Sequence, residues 1–238
     1  MRINLLTITQ NHSAKLIRTM ANKQNTQYVA AVFSITKRFQ RKHSEAARLR
    51  IRVISKKSFD RIQNGESVKT VLSKRYRRWV SEDPMMICDS EIDACEAAIQ
   101  IHDSMIADRR RVDLHLGPAN HRLYVIEMDS KVAKHRAFKE MNAEVDDLDS
   151  STCVYVGLTS QEISDRYVQH RSATHRASTR WGKNFFVEPF EAAFRGDLVD
   201  AFANAGNNIE GLNKYEALKG ELELRCWLQR QGIAAYSK

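Results

Sequence analysis

Punctuation is scarce in this chain. Three prolines and nine glycines among 238 residues exclude a linker-rich or low-complexity architecture, so boundaries have to be read from changes of pattern. Four cysteines, Cys88, Cys95, Cys153 and Cys226, lie far apart, with no Cys-x-x-Cys pair and no histidine at zinc spacing. That excludes a zinc ribbon or a disulfide scaffold and leads us to expect free thiols in a reduced, cytoplasmic compartment. No apolar run approaches the roughly 18 to 20 residues that cross a bilayer, and "MRINLLTI" is too short for the core of a secretory signal, so no membrane role is expected. Acid is missing from the start, Glu45 being the first, yet the segment before it lacks the Ser and Arg density of a transit peptide.

What is present is charge of one sign, unevenly spread. Residues 1 to 80 carry 19 Lys and Arg against Glu45, Asp60 and Glu66, whereas the remainder carries 19 basic against 26 acidic side chains. A first third at +16 suits a polyanionic partner, because each neutralised phosphate releases counterions. Within it, "YVAAVFSITKRFQRK" predicts a helix with a basic end, and the alternation in "LRIRVIS" predicts a strand. In "ESVKTVLSKRYRRWV", Val68, Val71, Leu72 and Trp79 fall at helical spacing, and Lys69, Lys74, Arg75, Arg77 and Arg78 share the polar face with Tyr76. Basic side chains around an aromatic suit phosphate contact with base stacking, which makes these six the candidate nucleic-acid-binding residues. A longer helix is expected in "DSEIDACEAAIQIHDSMIADRRR", capped by Asp89 or Ser90, with acids early and bases late as its dipole prefers. Gly117-Pro118 then divides the chain into a basic, mainly helical region, residues 1 to 117, and a second domain, residues 118 to 238.

Beyond that cut, "RLYVIEMD" and "TCVYVGLT" predict two strands, separated by a helical stretch and an acidic loop. Thr159 with Glu162 three residues on has the form of a capping box, so a helix is expected from about Ser160, with Gly157 as a tight exit from the preceding strand. On that helix Arg166 and His170 are one turn apart and face the same way, towards the end of the strand that carries Tyr155. A last helix, "NKYEALKGELELRCWLQRQG", starts at Asn213 with Glu216 and stops at Gly232. Its apolar stripe of Ala217, Leu224 and Leu228 is interrupted by Glu221, a carboxylate that needs a cationic partner or a metal if it is buried.

This ordered set of Tyr124, Tyr155-Val156-Gly157, Arg166, His170 and Glu221 resembles the GIY-YIG nuclease superfamily over about residues 122 to 238. Arg122 and Leu123 replace the Gly and Ile of the first tripeptide, and the two tyrosine motifs lie further apart than is usual in that family. The resemblance implies an α+β fold, with a small three-stranded antiparallel sheet flanked by helices. It implies a DNA endonuclease in which Glu221 binds Mg²⁺ or Mn²⁺, Tyr155 activates or positions the attacking water, and Arg166 braces the scissile phosphate. Tyr124 would orient the nucleophile and His170 would hold Tyr155 or the phosphate. DNA is the expected partner, with RNA open. A nuclease-like domain that has lost activity and serves in nucleic-acid binding or regulation is the alternative, favoured by the altered first tripeptide.

Overall fold

A computed structural model describes residues 26–36, 49–80, 83–172 and 185–237. The chain divides into two compact units, Met1–Leu116 and Gly117–Lys238. Both mix sheet and helix, so the α+β class holds, and among the described residues the first unit carries five strands beside its helices, where a mainly helical region was expected. Among the described residues no helix is long and apolar enough to cross a membrane, and all four cysteines are free thiols.

The first unit is a five-stranded sheet built on β1 (Tyr28–Ile35), which pairs antiparallel with β2 (Leu49–Ser55) along its whole length. Helices α1 (Lys56–Gln63) and α2 (Val68–Val71) follow. The other edge of β1 takes β3 (Tyr76–Trp79) and β4 (Met86–Cys88), both antiparallel. Helix α3 (Glu91–Ala107) leads into β5 (Val112–His115), which lies parallel to β2. The helix expected over "YVAAVFSI" is this central strand instead. Residues 29–33 are all buried because α3 packs over Ala30, Val32 and Ile51 on one face, while Phe59 and Val68 cover Val29, Ala31 and Phe33 on the other. A strand buried on both faces loses its alternation and reads as a plain apolar run. The basic end expected for that helix, from Lys37 onward, lies outside the described residues.

The helix expected over "ESVKTVLSKRYRRWV" shrinks to α2, and its second half is β3. Tertiary pairing overrides the helical spacing here, since Phe33 pairs with Trp79 and Ser34 with Arg78 before the register slips to Ile35 with Tyr76. That slip makes Arg77 the extra residue of a bulge, so Arg77 and Arg78 are both exposed although they are consecutive. Helix α3 starts as expected, with Ser90 Oγ accepting from Asp93 N–H at 3.0 Å.

The second unit contains β6 (Arg122–Met128), a 3₁₀ turn (Ser130–Lys134), α4 (Arg136–Met141) and β7 (Cys153–Thr159). After these come α5 (Ile163–Arg171), α6 (Phe190–Ala193), α7 (Gly196–Asn204), α8 (Lys214–Arg230) and β8 (Ala234–Tyr236). The sheet order is β6-β7-β8. It has three strands but is mixed: β6 and β7 are antiparallel, whereas β8 returns from α8 to run parallel to β7. A strand reached through a helical crossover runs parallel to the strand it joins, which the expectation of a fully antiparallel sheet overlooked. The outer edge of β6 is covered by isolated bridges from Ile126 to Phe194 and from Met128 to Phe186, and His121, just before the strand, bridges to Leu212. Helices α7 and α8 pack Val199, Phe202, Ala217, Leu224 and Leu228 on one face, against Leu123, Val125, Val154 and Val156. The other face carries an aromatic layer of Tyr124, Tyr155, Tyr167, Phe138, Phe186 and Tyr236.

Candidate active site

The aromatic layer gathers the candidate residues from separate elements. Tyr124 on β6 stands opposite Gly157 on β7, and Tyr155 stands opposite Ile126, so both phenols rise from the same face of the hairpin. Gly157 is not the exit from its strand, since β7 continues to Thr159. Its bare backbone makes room instead: a methyl group there would lie 2.4 Å from both Cζ and Oη of Tyr124. Glycine inside a strand marks such a close approach.

Helix α5 starts three residues later than expected, with Glu162 as its N-cap and no side-chain capping bond. Thr159 Oγ1 accepts from Gln161 N–H at 3.0 Å and so shapes a turn before the helix rather than capping it. Glu162 is held by Arg122, 3.1 Å away, so the arginine that replaces glycine in the first tripeptide ties β6 to the start of α5. Leu123, the other replaced position, is buried against Gly220 of α8, where a Cβ would meet its Cδ1 at 3.0 Å. The missing side chain lets α8 close on β6 beside Glu221.

From α5, His170 is only 1% exposed and enters the aromatic layer. Its Nε2 lies 2.7 Å from Tyr124 Oη, and its ring meets Tyr155 edge-on with centroids 4.9 Å apart. An imidazole with Nε2 unprotonated would accept a hydrogen bond from the Tyr124 hydroxyl in this geometry. The hydrogen bond therefore goes to Tyr124, whereas Tyr155 packs against the ring and against Tyr236 and Phe186.

Glu221 is buried at 8% exposure, as its place in the apolar stripe required. The stripe itself packs on the face opposite the phenols, yet the Glu221 charge is felt by both of them. Arg225, one turn further along the same row and 1% exposed, reaches Met141 Sδ at 3.5 Å and Ser237 Oγ at 3.3 Å, and Met141 packs against the aromatic layer. Burial pushes the Tyr124 phenol well above its ordinary range; Arg166 pulls it back by charge and hydrogen bonding, and the Glu221 charge raises it further. Tyr155 is raised for the same first reason, with Tyr124 and Glu221 adding to the shift and Arg166 opposing it. The four groups thus feel one another electrostatically. Arg166 donates from Nη1 to Gln169 Oε1 at 3.0 Å, and Gln169 Nε2 donates to Gln161 Oε1 at 2.8 Å.

No group of three or more His, Cys, Asp or Glu able to cage a metal occurs among the described residues. Glu221, whose charge bears on both phenols, fits a different mode, since Mg²⁺ keeps several of its waters and is bound through one or two carboxylates plus substrate phosphate. Glu221 is the residue that would hold it.

The six basic-region candidates fare differently. Lys69, Lys74, Arg75, Arg77 and Arg78 are exposed. Tyr76 is 2% exposed and packs edge-on against Phe33, with the Arg52 guanidinium 5.2 Å above its ring, so it is a core residue and no stacking platform. Side chains that the sequence pattern did not single out are Gln161, Gln169, His121 and Lys214, which with Arg166 line a cleft of about 540 Å³. The proximity of Gln161 and Gln169 to Arg166 was the available clue; nothing local marked His121 or Lys214. No family model, curated protein or solved structure matches the chain.

Proposed function

We propose that the second unit is a GIY-YIG-type, metal-dependent endonuclease that hydrolyses DNA phosphodiester bonds, and that the basic first unit adds affinity for the nucleic acid. The observation that carries this reading is the cluster on one face of the second unit's sheet, where His170 is in hydrogen-bond contact with Tyr124 and in ring contact with Tyr155, and where the charges of Arg166 and Glu221 bear on both phenols.

The geometry favours Tyr124 over Tyr155 as the proton acceptor. A buried phenol whose pKa is raised does not ionise in advance, so it acts by relay: it takes a proton from the attacking water while giving its own to His170 Nε2. The water oxygen bonds to phosphorus, the bond to the leaving oxygen breaks, and that oxygen takes up a proton from solvent. Arg166, its guanidinium oriented by Gln169, braces the phosphate as negative charge builds. Tyr155 shapes the wall against which the imidazole stands. Glu221 would hold a divalent ion, which when bound would supply charge stabilisation for the phosphate and the leaving oxygen.

The inactive, DNA-binding alternative is favoured by Arg122 and Leu123 in the altered first tripeptide and by the burial of both phenols, which raises their pKa. Incubation with plasmid, branched DNA and RNA, with Mg²⁺ or chelator, separates the two readings. The nuclease reading expects metal-dependent cleavage that disappears in Glu221→Ala and Arg166→Ala; no cleavage by the parent chain, or cleavage by both variants at the parental rate, overturns it.

A further inference from the structure

Beside the reacting groups lies the cleft of about 540 Å³, and its wall has a one-sided chemistry. Arg166, His121 and Lys214 supply three basic side chains, Gln161, Gln169 and Ser160 supply neutral polar ones, and no carboxylate of the described residues lines it. Two nitrogens of that wall, Arg166 Nε and His121 Nδ1, are buried with no hydrogen-bond partner among the described residues. Buried nitrogens of this kind are normally satisfied, so Arg166 Nε, a fixed donor, calls for an acceptor from outside, and His121 Nδ1 adds a second donor in its Nδ1–H tautomer.

The wall is also held in place. His121 N–H donates to Leu212 O at 3.0 Å, and Leu212 N–H donates to His121 O at 3.1 Å, which straps the start of β6 to the segment entering α8 two residues before Lys214. Gly117, at φ +92°, lets the chain pass close to Lys214, since a Cβ there would stand 3.2 Å from the lysine's own Cβ. The first amides of α8 are already engaged: Asn213 Oδ1 accepts from Tyr215 N–H at 2.9 Å and from Glu216 N–H at 3.1 Å. An anion in this cleft is therefore met by side chains rather than by the helix terminus.

We infer that this cleft is a second phosphate subsite, in which Lys214 and His121 hold a backbone phosphate of duplex DNA next to the phosphate braced by Arg166. The inference rests on the nuclease reading for the identity of the polyanion, but not for the existence of the site. Its consequence is placement: with two phosphates fixed, the strand's register over Tyr124 and Glu221 is set by backbone contacts, independently of base sequence.

The test is equilibrium binding of the full chain to a short fluorescent duplex in chelator, where cleavage does not intervene, over a series of salt concentrations. Lys214→Gln is expected to weaken binding and to lower the slope of log K against log salt by about 0.9, the contribution of one phosphate. His121→Gln, in a chain that still binds with the wild-type slope at its other contacts, is expected to weaken binding by a smaller factor. Lys219→Gln, on the same helix but outside the cleft, is expected to leave the slope unchanged. An unchanged slope in Lys214→Gln overturns the inference. So does an equal fall in Lys219→Gln, which would mark a generic basic face. Cleavage with Mg²⁺ is scored separately: a chain that does not cut but shows the Lys214 effect loses the nuclease reading and keeps this subsite, and a chain that cuts without the Lys214 effect does the reverse.

Discussion

Tyr124 and Gly157 face each other across the β6–β7 ladder, and the phenol of the first fills the space that a side chain on the second would occupy. Gly157→Ala forces either the phenol or the strand to move. The expected cost is about 1 to 3 kcal/mol of stability, the usual range for overpacking a filled site, with loss of most of the cleavage activity as Tyr124 leaves His170. Chemical denaturation and single-turnover cleavage measure the two effects. In a Tyr124→Ala background the same glycine change is expected to cost little, because the clash has gone; equal costs in both backgrounds contradict the packing of the phenol on the glycine.

Tyr124→Phe and His170→Gln each remove one end of the 2.7 Å hydrogen bond. Each is expected to lower kcat by about 100- to 10,000-fold, the range of general acid-base catalysis, while DNA affinity in chelator stays near wild type. The double variant is expected to be little worse than either single one, as groups acting as a unit are. Tyr155→Phe, which keeps the ring against the imidazole, is expected to retain more activity than Tyr124→Phe. The reverse order returns the role of base to Tyr155.

Alkaline stability follows from the raised phenols. The folded-state pKa of Tyr124 and Tyr155 lies above the unfolded value, so the unfolded chain releases these protons first as pH rises. Their contribution is fully present below about pH 10 and is lost progressively above it, at up to about 1.4 kcal/mol per pH unit for each proton. Urea midpoints measured from pH 8 upward are expected to fall beyond about pH 10, and to fall less steeply in Tyr124→Phe. A slope unaffected by that substitution contradicts the burial of an un-ionised phenol.

The exposed cations of the first unit make a separate prediction. Replacing Arg75, Arg77 and Arg78 by Gln is expected to weaken DNA binding and to lower the salt slope by up to about 2.7, roughly 0.9 for each phosphate that is no longer neutralised. Tyr76→Phe is expected to leave affinity unchanged, because that ring is core rather than a stacking surface. A salt slope unmoved by the triple change separates the basic strand from the substrate.

Asn142 predicts a purely structural effect. Its Oδ1 accepts from Ala235 N–H at 2.8 Å and from Gln229 Nε2 at 2.9 Å, and its Nδ2 donates to Phe138 O at 2.9 Å, so one 2%-exposed side chain joins α4, α8 and β8. Asn142→Leu orphans the Ala235 N–H at about 1 to 3 kcal/mol, whereas Gln229 Nε2 keeps Met141 O at 2.9 Å and Phe138 O keeps the backbone N–H of residue 142. A drop in stability below about 1 kcal/mol would show that solvent reaches that amide.

Legibility in the sequence followed the strength of local pattern. The α8 boundaries were readable because Asn213 and Glu216 form a complete capping box and Gly232 turns the chain at φ +76°. Strands β2, β6 and β7 carried enough β-branched and aromatic residues to stand out. β1 did not, since burial on both faces erased its period, and β3 did not, since the bulge at Arg77 mimics helical spacing. The three residues of β8 are too few to show a period at all. In the candidate site, Glu221 was legible as a carboxylate inside an apolar stripe, and Arg166 and His170 as helix neighbours. Which phenol the imidazole would meet was not, because that depends on the register that sets Tyr124 against Gly157, a pairing between strands that are distant in sequence.

The activity proposed for the second unit turns on whether this site cuts DNA through a metal held at Glu221. The decisive measurement is single-turnover cleavage of a duplex and of a branched substrate by the full chain, with Mg²⁺ titrated from chelator upward and Glu221→Gln run beside the parent. Cleavage is expected to rise with Mg²⁺ and to be abolished in Glu221→Gln, with DNA binding in chelator preserved in both. Cleavage that persists in chelator, or that survives Glu221→Gln at the parental rate, contradicts a metal-dependent site at Glu221.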